Sequence, residues 1–168
     1  MFAKGVTPSE TQYDGSNLRI LILHTRWNLP VVKALVDGAQ RTLISEFNVK
    51  AEKIILKDVA GSYELPFAAQ EYIKHSIPKF DAVICIGVLI KGSTMHFEYI
   101  AEATAHGIMR VGMETGTPCV FGVLTCLNDE QALERAGLGE SPAKHNHGID
   151  WARCAVELGV KKRQGWSS

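Results

Sequence analysis

The chain has 168 residues, enough for one domain with a genuine buried core. Apolar residues make up 46% and charged residues 21%, an ordinary globular balance, and 18 basic side chains cancel 18 acidic ones. Zero formal charge argues against a sequence-independent nucleic-acid binder, which needs a basic surplus to neutralise phosphates.

Residues 1–17, with Pro8, Gly15 and several hydroxyls, read as an N-terminal arm, and 18–168 as a single domain. LRILIL (18–23) is a continuous apolar run, the pattern of a strand covered on both faces. After Pro30, apolar residues at Val32, Leu35, Val36, Ala39, Leu43 and Phe47 follow a helical period. KIILKDV (53–59) predicts a second strand, then AGSYELP leads into a helix that runs to about residue 76, closed by Pro78. FDAVICIGVLI (80–90) is a third strand, with a helix from about Thr94 to Val111 after it. PCVFGVLTCL (118–127) is a fourth. A short helix follows, with Asn128 or Asp129 as N-cap and Gly137 as its stop, and a last helix covers about Ile149 to Val160.

Four strand–helix units and a terminal helix predict an α/β sandwich: a four-stranded parallel sheet with helices on both faces. Ligands of such sheets bind beyond the carboxyl ends of the strands. No run approaches the ~20 apolar residues that span a bilayer, and the polar start lacks the apolar centre of a secretory signal. No membrane association and a cytoplasmic location are therefore expected. Cys85, Cys119, Cys126 and Cys154 form no C-x-x-C pair; three lie in strand-like runs, and all four read as buried free thiols.

The segment GVLIKGSTMHFEY (87–99) resembles a phosphate loop, but Lys91 stands before Gly92 rather than after it. With the lysine displaced and no acidic strand end to hold magnesium, a nucleoside triphosphatase does not fit. Gly92, Ser93 and Thr94 at a helix start do suit one compact anion, because orphan N–H groups and the macrodipole converge there. Capping is the alternative use of Ser93 or Thr94. His96 falls in the first helical turn, where the positive helix end disfavours a second positive charge and a neutral ring can accept a proton. Trp27, beyond the first strand, is either a hydrophobic staple or a platform for a planar ring. Glu64 either caps its own helix or accepts hydrogen bonds from sugar-like hydroxyls. His145-x-His147 suggests zinc, but no third ligand stands at a familiar spacing, so no metal site is expected.

Taken in order, RWN (26–28), GSYELP (61–66), GVLIKGSTMHFEYI (87–100), FGVLT (121–125), EQALERAG (130–137) and NHGIDWA (146–152) resemble the 6,7-dimethyl-8-ribityllumazine synthase family in its fungal spelling. The resemblance covers residues 18 to 160. It implies a flavodoxin-like three-layer α/β/α sandwich and a cofactor-independent transferase in the penultimate step of riboflavin synthesis. The small-molecule substrates it implies are 5-amino-6-(D-ribitylamino)uracil and 3,4-dihydroxy-2-butanone 4-phosphate. By the same resemblance Trp27 stacks on the pyrimidine, where many members carry phenylalanine, and Asn28 neighbours the ribityl chain. Ser62, Tyr63 and Glu64 bind the pyrimidine substrate, Glu64 through ribityl hydroxyls, while Val88, Leu89 and Ile90 meet the uracil edge. Ser93, Thr94 and Arg135 take the phosphate, His96 transfers protons, Asp150 orients it, and Phe121 walls the pyrimidine pocket. His147 falls where some members have lysine. Lys91 receives no role.

Family members form homopentamers in which the counterparts of Phe121, Arg135 and the last loop act in a neighbour's site. The long segment LGESPAKH (138–145) predicts free pentamers rather than sixty-subunit shells. Two competing readings are a non-catalytic flavin or pterin binder, which forms no lumazine, and a flavodoxin-like electron carrier, which would carry bound flavin on purification.

Overall fold

The first strand, β1 (Ile20–Thr25), is buried on both sides, because its residues alternate between two cores. Ile20 and Ile22 enter one, while Leu21 and Leu23 enter the other. The structure, a computed structural model, describes residues 9–140 and 145–166. The first eight residues of the arm, and the centre of the segment on which the free-pentamer expectation rests, lie outside the described residues.

The other elements, in chain order, are α1 (Leu29–Ser45), β2 (Ile54–Val59), α2 (Leu65–His75), β3 (Ala82–Ile90), α3 (His96–Thr115), β4 (Cys119–Cys126), α4 (Asp129–Arg135) and α5 (His147–Gln164). Short 3₁₀ turns at Ala51–Lys53 and Ser62–Glu64 precede β2 and α2. All pairings are parallel in the order β2-β1-β3-β4. Helices α1 and α5, with Ala132 of α4, cover one face, and α2 and α3 cover the other. The fold is the expected three-layer α/β/α sandwich.

Three boundaries move for local reasons. α1 begins at Leu29, so Pro30 lies within its first turn, where a missing N–H costs nothing. α3 begins at His96 rather than Thr94, because Ser93 and Thr94 belong to the turn before it. α5 starts at His147 because the Asn146 side chain accepts from Gly148 N at 2.8 Å as an N-cap. The short helix behaves as expected: Asn128 accepts from Gln131 N at 2.9 Å, and Gly137 stops it at φ +72°.

Asn146 also locks three helices together. Its amide donates to Ala34 O of α1 at 2.8 Å and to Ala136 O, just past α4, at 3.0 Å. A Cβ on Gly148 would press far inside contact distance of the Leu35 carbonyl, which is backbone and cannot step aside. Gly148→Ala is therefore expected to lower stability by about 2–3 kcal/mol, the scale of overpacking a close-packed interior. Chemical denaturation measures it, and a midpoint equal to the parent's refutes it.

Candidate active site

In chain order β1 leads to β2 on one side, then the chain returns to β3 on the other. The order reverses between β1 and β3, and ligands of such sheets bind at that switch point, beyond the carboxyl ends. Trp27 and Asn28 follow β1 at this point. Trp27 N–H donates to Ala60 O at 3.3 Å, and the side chain is 72% exposed. Its Cδ1 would lie 3.3 Å from a Cβ on Gly61, so the glycine lets the indole rest against the loop after β2. That exposure is incompatible with a staple buried on α1 and leaves an open aromatic face. Beneath it an Arg26–Asp58 ion pair ties the ends of β1 and β2, and the guanidinium holds the Asp58 carboxyl below its ordinary range.

Asn28 adopts a left-handed conformation (φ 56°, ψ 40°) and donates its amide to Val88 O at 3.0 Å. The side chain thus spans the switch point instead of capping α1. Val88 is 1% exposed, so Leu89 and Ile90, both half-buried, form the accessible part of that strand end.

In the loop after β2, Tyr63 is 61% exposed, whereas Ser62 is buried. A Cβ on Gly87 would come 2.7 Å from Ser62 Oγ, so Ser62 packs onto β3 in a space only glycine leaves. Ser62 O also accepts from Thr104 Oγ1 at 3.2 Å. Glu64 Oε2 accepts from Gly61 N at 2.9 Å, the capping use weighed for it. Its Oε1 has no hydrogen bond among the described residues and stays available for a hydroxyl.

The turn between β3 and α3 is exposed from Lys91 through His96. Thr94 Oγ1 reaches His96 N at 3.4 Å, a loose cap. The N–H groups of Gly92, Ser93 and Thr94 have no hydrogen-bond partner among the described residues. A Cβ on Gly92 would meet nothing within 4 Å, leaving room for a ligand close to the backbone. Three N–H groups unpartnered among the described residues, two hydroxyls and the start of a 20-residue helix make up a donor set that suits an anion, and His96 is the first residue of that helix.

The remaining expected residues lie on β4, α4 and α5. Phe121 is 40% exposed on β4, an edge strand, and pairs with Cys85, three positions before Val88. Three positions amount to ~10 Å along the strand. Arg135 ends α4, its side chain half exposed and its Nη1 a loose 3.7 Å from Glu134 Oε2. Asp150, in the first turn of α5, lies 2.5 Å through Oδ2 from His145 Nε2 and 3.9 Å from His147 Nδ1. Arg153 Nη1 stands 3.8 Å from the other oxygen, Oδ1. Burial pushes the His147 imidazole below its ordinary value, and the neighbouring His145 and Arg135 add to this while Asp150 opposes it. Among the described residues no hydrogen bond or ion pair joins Phe121, Arg135 or Asp150 to His96.

The third donor missing beside the H-x-H pair is supplied by Asp150: the three ligand atoms lie within 4.8 Å of one another. A tetrahedral zinc spaces such ligands ~3.3 Å apart. The 2.5 Å contact of His145 and Asp150 is instead a closed hydrogen bond, with the cation Arg153 beside it. The sequence singled out His145 only as half of the H-x-H pair and missed its bond to Asp150, whose one signal was the five-residue spacing across a helix start. Burial pushes the Cys119 thiol up to about 12 and raises that of Cys85, so neither supplies a thiolate. Two thiols depart from the reading of four buried ones: Cys119 is half-buried at the start of β4, and Cys154 is exposed because it lies on α5 rather than in a strand.

The profile of the family described as 6,7-dimethyl-8-ribityllumazine synthase matches residues 17–163. A Schizosaccharomyces pombe protein of that name is 54% identical over 158 residues, covering 94% of this chain and 95% of the relative. A second, from Pyricularia oryzae, is 43% identical and covers all of this chain and 98% of its own length. A bacterial relative from Renibacterium salmoninarum, bearing the same name, is 37% identical over 93% of this chain and 96% of its own. With a match over nearly its whole length, the chain belongs to the 6,7-dimethyl-8-ribityllumazine synthase family.

Proposed function

We propose that this chain, an enzyme of a transferase family, condenses 5-amino-6-(D-ribitylamino)uracil with 3,4-dihydroxy-2-butanone 4-phosphate in the penultimate step of riboflavin synthesis. The observation that carries the proposal is the exposed turn from Gly92 to His96, whose unpartnered backbone N–H groups suit an anion and whose helix opens on a histidine. Trp27 stacks on the pyrimidine, with Asn28, Ser62, Tyr63 and Glu64 around the ribityl chain. The free oxygen of Glu64 accepts from its hydroxyls. Leu89, Ile90 and the Val88 backbone border the uracil edge.

Ser93 and Thr94 hold the phosphate together with Arg135. The substrate amine attacks the ketone and water leaves to give an imine. Elimination breaks the C–O bond to phosphate, and the second amine closes the ring with loss of another water. His96 carries protons between these steps. The sequence is redox-neutral, so its electrons balance without a cofactor.

Phe121, Arg135 and Asp150 act on the site of a neighbouring subunit in a homopentamer, Asp150 orienting His96 there. Support comes from the lack of any described hydrogen bond or ion pair between these residues and His96 within one chain, and from the exposed Tyr99, Met109 and Met113, which fall within about 80° of one another around α3, an apolar stripe suited to a neighbour. No helix among the described residues is long and apolar enough to cross a membrane, which is compatible with a cytoplasmic setting.

Lumazine fluorescence on mixing both substrates with the protein tests the reaction, and its absence refutes it. The shared site has its own test. Chains carrying His96→Ala and chains carrying Arg135→Ala, refolded together and assayed at low phosphate substrate, should regain about a quarter of parental activity by random pairing around a ring. Activity no greater than the sum of the separate variants would mean that each site is built within one chain.

A further inference from the structure

Lys91, at the start of the turn, has no role so far. Its backbone N–H donates to Cys126 O at 2.9 Å, which fixes it to the end of β4 just before the turn opens. Its ammonium forms an ion pair with Oε1 of Glu98, the third residue of α3. The pair therefore joins the last ordered point of the strand to the first turn of the helix, across Gly92–Phe97.

Packing does not hold this turn. Lys91 through His96 are exposed, and Gly92 has open space around it. Glu98 introduces a second problem. A carboxylate in the first turn suits the helix dipole, but it also repels any anion bound at the same N-terminus. Its Oε2 is buried and has no partner among the described residues, so Lys91 is the cation that compensates it there. The Lys91 hydrogen bond holds the Glu98 carboxyl below its ordinary range, so the repelling charge is permanent near neutrality.

We propose that Lys91 is a positioning residue that neutralises Glu98 and ties down the Gly92–His96 turn, making a helix start with its own carboxylate acceptable to a phosphate. The inference rests on the phosphate reading of that turn given above. Lys91 acts through Glu98, not as a ligand of the phosphate itself.

The test is a double-mutant cycle read in steady-state kinetics. Lys91→Ala should raise the half-saturation concentration of the phosphate substrate about three- to tenfold, on the scale of one unscreened charge near a solvent-exposed site. Half-saturation for the ribityl substrate should stay within about twofold on the same scale. Lys91→Arg should restore most of the loss. Adding Glu98→Gln to Lys91→Ala should also recover phosphate affinity, because the repelling charge has gone.

A double variant as poor as Lys91→Ala overturns the proposal and makes Lys91 a direct ligand. A Lys91→Ala protein with unchanged half-saturation, or one losing only turnover, overturns it too. Should Lys91→Ala fail to fold, Lys91→Met keeps the stem and carries the same comparison. Failure of the phosphate reading itself has a different signature: the parent protein then forms no lumazine, and inorganic phosphate does not compete with the phosphate substrate.

Discussion

Replacing His96 with alanine is expected to slow lumazine formation by about 10- to 10⁴-fold, the span of a general acid–base contribution or slightly below it. The low end applies if part of the condensation proceeds unaided once both substrates are held together. His96 is exposed at the first position of α3, and among the described residues its side chain makes no hydrogen bond, the backbone N–H alone reaching Thr94 Oγ1. Removing an exposed ring should cost under about 0.5 kcal/mol of stability, so a lower rate reads as chemistry rather than unfolding. The loss belongs in turnover, with half-saturation for both substrates nearly unchanged. An unchanged rate rejects the proton-transfer role. A rate restored by added imidazole supports it.

What the sequence disclosed depended on whether a feature is local. β1 and β3 were legible because helices cover both faces of the sheet and force continuous apolar runs. α4 was legible from its cap and its glycine stop. The start of α3 was misplaced by two residues, because a hydroxyl two positions upstream can cap loosely while remaining in the turn. Non-local partners left no such trace. Nothing in the run of residues says that the Asn28 amide reaches Val88, that Ser62 fills the space left by Gly87, or that Lys91 meets Glu98. The last of these had a faint signal, an acid in the first turn of a helix facing a lysine at the strand end before it. Asp150 illustrates the limit best. Within one chain it bonds His145, and the service to His96 proposed for it calls on a second chain.

That division of labour makes Arg135 the other decisive residue. Arg135→Ala should raise half-saturation for the phosphate substrate about 10- to 100-fold, the range of a lost charge-assisted hydrogen bond. Half-saturation for the ribityl substrate should move by less than about twofold, since no uniform binding to that partner is removed. Three observations point this way. The guanidinium is half exposed at the carboxyl end of α4, where it completes the helix dipole and is free to turn outward. Its 3.7 Å contact with Glu134 is too long for a hydrogen bond, so its donors are available. Burial keeps His147, beside it, below its ordinary value and thus mostly uncharged near neutrality, which leaves Arg135 as the permanent cation of this group able to meet a phosphate. Arg153, the other arginine nearby, is already forked onto Glu46 at 3.0 and 2.9 Å. Arg135→Lys should recover only part of the loss, because an ammonium keeps the charge but cannot grip two phosphate oxygens from a planar fork. Equal changes for both substrates, or full rescue by lysine, would show that Arg135 shapes the pocket generally instead of binding the phosphate.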